Sequence, residues 1–133
     1  MNADAAVRAL IDAWDRAWRT KDPKALTDVY ARDVVFRSHP FRDPQNPRDY
    51  ASGAFAEEGD ELDLWWGRPI TREGRAVIEW WAILTEDTQP VTLAGASLLK
   101  FDEEGRVVDQ HDYWATRPGR VQPWAGWGSS SEA

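Results

Sequence analysis

Three titratable side chains stand at positions where proton chemistry is possible: Asp112, His39 and Glu79. Asp112 lies in the run Arg106-Val107-Val108-Asp109-Gln110-His111-Asp112-Tyr113-Trp114, directly after the turn signal Asp102-Glu103-Glu104-Gly105. A strand position among aromatics is ordinarily apolar, so an acid there is expected to line a cavity. Lost hydration raises a carboxyl pKa, and a carboxyl titrating near neutral pH can take or give a proton. The competing reading pairs Asp112 with an arginine at a sheet edge. His39 closes a short β-branched and aromatic run and precedes Pro40. At a pocket rim it could act as acid or base; in the other reading a backbone carbonyl holds it in a loop. Glu79 sits between Ile78 and Trp80 in a run with few polar residues. A glutamate there is seldom buried without a partner, which His39, His111, Arg37 or Arg75 could supply. Glu79 shares a strand face with Trp81, and either face of the sheet is open to the pair.

Other chemistries are disfavoured by what the chain lacks. It has no cysteine, which removes disulfides, thiolate nucleophiles and zinc–thiolate sites. His39, His111, Asp112 and Glu79 have no tight ligand spacing such as His-x-x-x-His, so no metal is expected. No Gly-rich phosphate loop or Gly-x-Ser-x-Gly elbow occurs, and no cofactor is expected. The net charge of −7 disfavours nucleic acid, and the arginines between Arg37 and Arg48 are interrupted by Asp43 and Asp49. The N-terminal stretch Met1 to Asp12 lacks the apolar core of a signal peptide, and no apolar run approaches the ~20 residues of a membrane span. A cytoplasmic protein of one domain is the expectation.

Tryptophan is the compositional outlier, with nine in 133 residues. Trp65-Trp66 and Trp80-Trp81 fall in strand-like runs, and strand neighbours point to opposite faces. Each pair therefore sends one indole to each side of a sheet, and both sides need cover from helices, a pocket or a partner subunit. Trp14, Trp18, Tyr30, Phe36, Phe55, Trp65 and Trp81 are candidates to line an apolar pocket. Aromatics at such spacing are mostly ordinary core, with a few near a mouth free to select a flat apolar ligand.

These residues need elements to position them. Val7, Leu10, Ile11, Trp14 and Trp18 recur at helical spacing, predicting a helix over about 4–20. Asp22-Pro23 is a cap followed by a first-turn proline, predicting a second helix to about Arg32 with Leu26, Val29 and Tyr30 inward. Val34-Val35-Phe36 reads as a strand, and the proline-rich stretch Ser38 to Pro47 as a loop. Asn46-Pro47 opens a third helix with Tyr50, Ala51, Ala54 and Phe55 inward, ended by the acidic run Glu57 to Glu61. Strands follow at about 62–71, 75–85, 91–101 and 106–116, joined by turn residues at Glu73-Gly74, Thr88-Gln89-Pro90 and Glu104-Gly105. The domain is expected over 1–117, with a Pro/Gly/Trp tail over 118–133 that is ordered to about Trp127 and disordered from Gly128 to Ala133. Helices first and an antiparallel meander later predict an α+β fold, a cone-shaped curved sheet wrapped around three N-terminal helices.

That element order, with Leu26-Thr27-Asp28-Val29-Tyr30-Ala31-Arg32-Asp33-Val34-Val35-Phe36 and Leu99-Lys100-Phe101-Asp102-Glu103-Glu104-Gly105-Arg106-Val107-Val108, resembles the nuclear transport factor 2-like superfamily over about residues 5–116. Within it, the chain is most similar to the SnoaL-like polyketide cyclases, ketosteroid isomerases and limonene epoxide hydrolases. The resemblance to the isomerases sets Trp14 at their catalytic tyrosine, Ser38 or His39 at their general-base aspartate and Ser97 at their protonated aspartate; all three depart. The resemblance to the epoxide hydrolases matches Asp112, before Tyr113-Trp114, to their last-strand aspartate. Phe36 and Ser38 replace their tyrosine and asparagine, and no Arg-and-Asp pair is found near Glu79 and Trp81. The resemblance implies that Gln110, Asp112 and Trp114, which share a face by strand parity, face the cavity, while His111 and Tyr113 face the side on which such proteins pair.

These readings imply a homodimer and a pocket for a small apolar or aromatic molecule. They imply isomerase, cyclase or hydrolase chemistry at Asp112, assisted by His39 and Glu79, with Trp14 and Trp81 holding the substrate. The alternatives are a ligand-binding module without turnover and a protein-interaction domain using Trp124 and Trp127.

Overall fold

A computed structural model describes residues 1–128; residues 129–133, where most of the expected disordered end falls, lie outside the described residues. Helix α1 spans Ala3–Thr20, capped by the Asn2 side chain and closed by Lys21 in a left-handed conformation. A short 3-10 turn, Pro23–Leu26, leads into β1, Tyr30–Arg37. Helix α2, Pro47–Glu57, starts on the Asn46 cap, whose side chain accepts from the Arg48 and Asp49 amides. Five strands follow: β2 Glu58–Trp66, β3 Ile70–Arg72, β4 Arg75–Glu86, β5 Gln89–Phe101 and β6 Val107–Pro118.

The strands form one curved, unclosed sheet in the order β1-β6-β5-β4-β2, with β3 paired to β4. All pairings are antiparallel except β1 with β6. This is the α+β cone expected, except that two α-helices, not three, stand with the sheet among the described residues. The second predicted helix stops after one 3-10 turn. Leu26 is buried there, and the Val29 carbonyl then accepts from the Val107 amide of β6. Val29 and Tyr30 are aromatic or β-branched residues that a sheet edge holds as readily as a helix, so the tertiary pairing takes them. The predicted strand over 62–71 is likewise two strands. Pairing with β4 runs on to Gly67, whose amide donates to the Glu79 carbonyl at 2.8 Å, and is interrupted at Pro69, which has no amide to give, before β3 takes it up again. The acidic run ends α2 at Glu57, but Glu58 to Glu61 already belong to β2.

The concave face carries the core. Val7, Leu10, Ala17 and Trp18 of α1 and Ala51 and Phe55 of α2 pack against Ala76, Ile78, Trp80, Ala82 and Leu84 of β4 and Phe36 of β1. Each Trp-Trp pair divides as strand parity requires. Trp66 and Trp80 are cross-strand partners on the concave side, and Trp65 and Trp81 are partners on the convex side. The chain after Pro118 folds back over part of that convex side. The Trp81 indole donates to the Val121 carbonyl at 2.8 Å and meets the Trp124 and Trp127 rings at 5.7 and 5.9 Å. Thr92 anchors the same segment through Gly119 and Val121, and Arg120 pairs with Asp63. The two tail tryptophans thus pack on the chain's own sheet, although Trp124 stays 64% exposed. No helix among the described residues is long and apolar enough to cross a membrane.

Candidate functional site

Between α1, α2 and the concave face lies a pocket enclosing about 680 Å³ with its open mouth. Its enclosed part holds roughly five water molecules. Leu10, Ile11, Trp14 and Trp18 line it from α1, and Tyr50, Ala54 and Phe55 from α2. Glu58, Trp66, Ile78, Trp80, Leu93, Ser97, Gln110, Asp112 and Trp114 line it from the sheet.

Asp112, 8% exposed, is on β6 opposite Ser97 of β5. Gln110, two residues back on the same strand face, donates from Nε2 to Asp112 Oδ1 at 3.0 Å. Burial pushes the Asp112 carboxyl up from 3.8 to about 6, against hydrogen bonds from Ser97 and Gln110 and the nearby His111. A carboxyl with that balance exchanges a proton near neutral pH.

Two donor chains run toward this carboxyl. Trp14 Nε1 donates to the Tyr30 hydroxyl at 2.7 Å, and Tyr30 donates to Gln110 Oε1 at 2.6 Å. An indole N–H can only donate, so the Tyr30 proton is directed to Gln110. That fixes the amide with its NH₂ toward Asp112. On the other side Trp80 Nε1 donates to Ser97 Oγ at 3.1 Å, and Ser97 hydrogen-bonds Asp112. Burial keeps the Tyr30 phenol well above its ordinary pKa, with the Trp14 bond acting against it and the Asp112 charge adding to it.

A second carboxylate lines the pocket. Glu58, its side chain 8% exposed, accepts from Trp18 Nε1 and from Lys21 Nζ, both at 2.8 Å. Tyr50 of α2 is a further polar group on the wall. Burial first and the Asp112 charge second raise its phenol, while Arg42 lowers it. Arg42 also lies over the Trp114 ring at 5.3 Å and donates to Ser38 Oγ at 3.0 Å.

Of the residues singled out from sequence, the pocket gathers Asp112, Trp14, Trp18, Phe55, Ser97, Gln110 and Trp114. The others stand elsewhere. Glu79 and Trp81 are on the convex face, because Ile78, Trp80 and Ala82 hold the concave positions of β4; Glu79 is exposed there and Trp81 is under the tail. His39 is outside the pocket lining, edge-on to Trp114 at 5.0 Å, its Nδ1 facing the Phe41 amide at 3.4 Å. Phe36 is fully buried core against Trp14, Tyr30 and Tyr50. Tyr30 supports Gln110 from behind the wall. Ser38 is a latch, its carbonyl accepting from Trp114 Nε1 and its hydroxyl from Arg42. The three titratable candidates therefore do not converge; Asp112 alone is in the pocket. Glu58 and Tyr50 were missed as site residues. Glu58 carries no signal apart from its neighbours in an acidic run, and Tyr50 read as one more inward residue of α2.

Residues 7–110 match the family model of the SnoaL-like domain. No curated protein matches the chain. Among solved structures, an epoxide hydrolase from M. tuberculosis of the LEH-like type superposes with TM-score 0.65 at 18% identity, over 83% of this chain and 82% of that one. The epoxide hydrolase/cyclase-like enzyme SalBIII, acting in pyran ring formation in the polyether salinomycin, gives TM-score 0.70 at 12% identity over 84% and 91%. An NTF2-like protein of unknown function from Burkholderia pseudomallei gives 0.67 at 17% identity over 86% and 92%. At these identities the likeness is one of fold.

Proposed function

The chain belongs to the SnoaL-like domain family, and from that premise we propose a cofactor-independent enzyme that performs acid/base chemistry on a small apolar substrate at Asp112. The observation that carries the proposal is a buried carboxyl, raised to about 6, at the wall of an aromatic pocket. The ionised carboxylate takes a proton from a water or from a substrate hydroxyl; the freed oxygen bonds to an epoxide carbon as that carbon's bond to the ring oxygen breaks, and the released alkoxide takes up the proton held by Asp112, directly or through water. The Tyr50 phenol, which stays protonated, hydrogen-bonds the oxygen on which charge grows. The reaction class is addition of water or ring closure, in keeping with what two of the structural neighbours are named for; in an isomerisation the carboxylate would take a proton from one carbon and return it to another. The test is turnover of a panel of small apolar epoxides and hydroxy-epoxides. Asp112→Asn is expected to lower kcat/KM by about 10²- to 10⁴-fold, the span of a lost general base, and a variant as active as the wild type sinks the proposal.

A second reading, a binding domain without turnover, is favoured by one observation: of Asp112, His39 and Glu79, only Asp112 stands in the pocket. Saturable quenching of the tryptophans across the panel with no product formed would select it.

The proposal extends to a homodimer through the open half of the convex face. Val77, Leu98, Val108 and His111 line a groove there, rimmed by Arg75, Lys100 and Asp109, and Tyr113 is 51% exposed beside it. Light scattering at micromolar concentration should give twice the 15.2 kDa chain mass, and Tyr113→Lys should shift it toward the monomer. A wild-type monomer removes the dimer from the proposal.

A further inference from the structure

The hydrogen-bond capacity of the pocket is unevenly spent. Each of its five indole N–H groups already has an acceptor within the protein: Trp14 on Tyr30, Trp18 on Glu58, Trp66 on Asp15, Trp80 on Ser97 and Trp114 on the Ser38 carbonyl. Gln110 is engaged at both ends of its amide, and Ser97 lies between Trp80 and Asp112. A carboxylate has about four lone-pair sites. The protein fills part of that capacity at Asp112, with Gln110 and Ser97, and part at Glu58, with Trp18 and Lys21. Tyr50 is the one hydroxyl on the wall that these chains do not use; the charges of Asp112 and, more weakly, Glu58 act on its phenol, and Arg42 hydrogen-bonds it. The two cations nearby are already engaged, Lys21 by Glu58 and Arg42 by Ser38 and Tyr50.

We infer that this pocket selects ligands whose polar head donates hydrogen bonds, a hydroxyl or an amine on an apolar body, and rejects anionic heads. The inference rests on the reading of this pocket as the ligand site and specifies its substrate class. A carboxylate or phosphate head would meet unfilled acceptors of its own sign in a poorly hydrated space, where like charges repel strongly. A hydroxyl completes the Asp112 shell and is at the same time the group from which the carboxylate can take a proton. An ammonium gains in addition from the indole faces.

The space, about 680 Å³ with its open mouth, admits a phenyl ring carrying a two-carbon arm. The matched probes are therefore 2-phenylethanol, 2-phenylethylamine and phenylacetate, titrated at pH 8 and followed by tryptophan fluorescence and calorimetry. The alcohol and the amine should bind at least about tenfold tighter than phenylacetate, a difference of about 1.4 kcal/mol. Asp112→Asn, which removes one negative charge, should strengthen phenylacetate binding relative to the alcohol. Phenylacetate binding to the wild type as tightly as the alcohol overturns the inference and leaves the pocket reading standing. Absence of saturable binding by all three overturns both. The wild-type comparison is decisive whether or not the variant folds.

Discussion

Asp112 is acted on from two sides, by donors that favour its charge and by an apolar wall that opposes it, and the wall wins. The consequence for stability has a definite sign. Between pH ~4 and ~6 the folded chain keeps a proton that the unfolded chain, near 3.8, has released. Stability then falls as pH rises through that window, by on the order of 3 kcal/mol for a shift of this size. The destabilisation is absent below the window and complete above it. Asp112→Asn is always neutral and nearly the same shape, so it should raise the unfolding free energy relative to wild type at pH 8 and lose that advantage by pH 4. Denaturant unfolding at the two pH values checks this; an equal difference at both would contradict it. At this scale the sequence was legible where one neighbour settles an environment. Parity put Gln110, Asp112 and Trp114 on one face, and the aromatics around Asp112 implied desolvation. Glu79 was not legible, because alternation says which residues share a face and not which face is inward.

Among the elements, β5 and β6 do the positioning. Their register sets Ser97 against Asp112 and Gly95 against Trp114. Gly95 is there because the strands approach closely: a Cβ on it would lie 2.5 Å from Trp114 Cβ and 2.3 Å from the Tyr113 carbonyl. Part of that obstruction is backbone, so it cannot be relieved by a rotamer change. Gly95→Ala should cost about 1–3 kcal/mol, as overpacking does, and should displace Trp114 from Ser38. Thermal unfolding with near-ultraviolet circular dichroism reads both effects, and an unchanged melting temperature would show that the strands can part without cost. Helix α1 and the later strands were readable from hydrophobic period and turn residues. The segment after Leu26 was not, since Val29 and Tyr30 satisfy a helical stripe and a strand edge alike, and the pairing with Val107 decides between them.

On the scale of the whole molecule, the two faces of the sheet have different cover. The concave face has helices and the pocket. The convex face is covered on one half by the chain's own tail, through Trp81, Thr92 and Asp63, and is open on the other, around Val77, Leu98 and Tyr113. The paired tryptophans already required that both faces be covered, but self-cover by Trp124 and Trp127 was one of several ways to meet that need.

The sequence by itself determined the fold class, the run of strands from Arg75 onward, the division of each Trp-Trp pair and which residues share a strand face with Asp112. Each of these follows from local period, turn chemistry and alternation, which act over a few residues. Only the tertiary structure decided which face is concave, and that Glu58 and Tyr50 join Asp112 while His39 and Glu79 do not. It also decided that Trp14 and Tyr30, far from Gln110 in sequence, orient its amide. Those outcomes depend on the curvature of the sheet and on contacts between distant segments, where no local pattern carries the information.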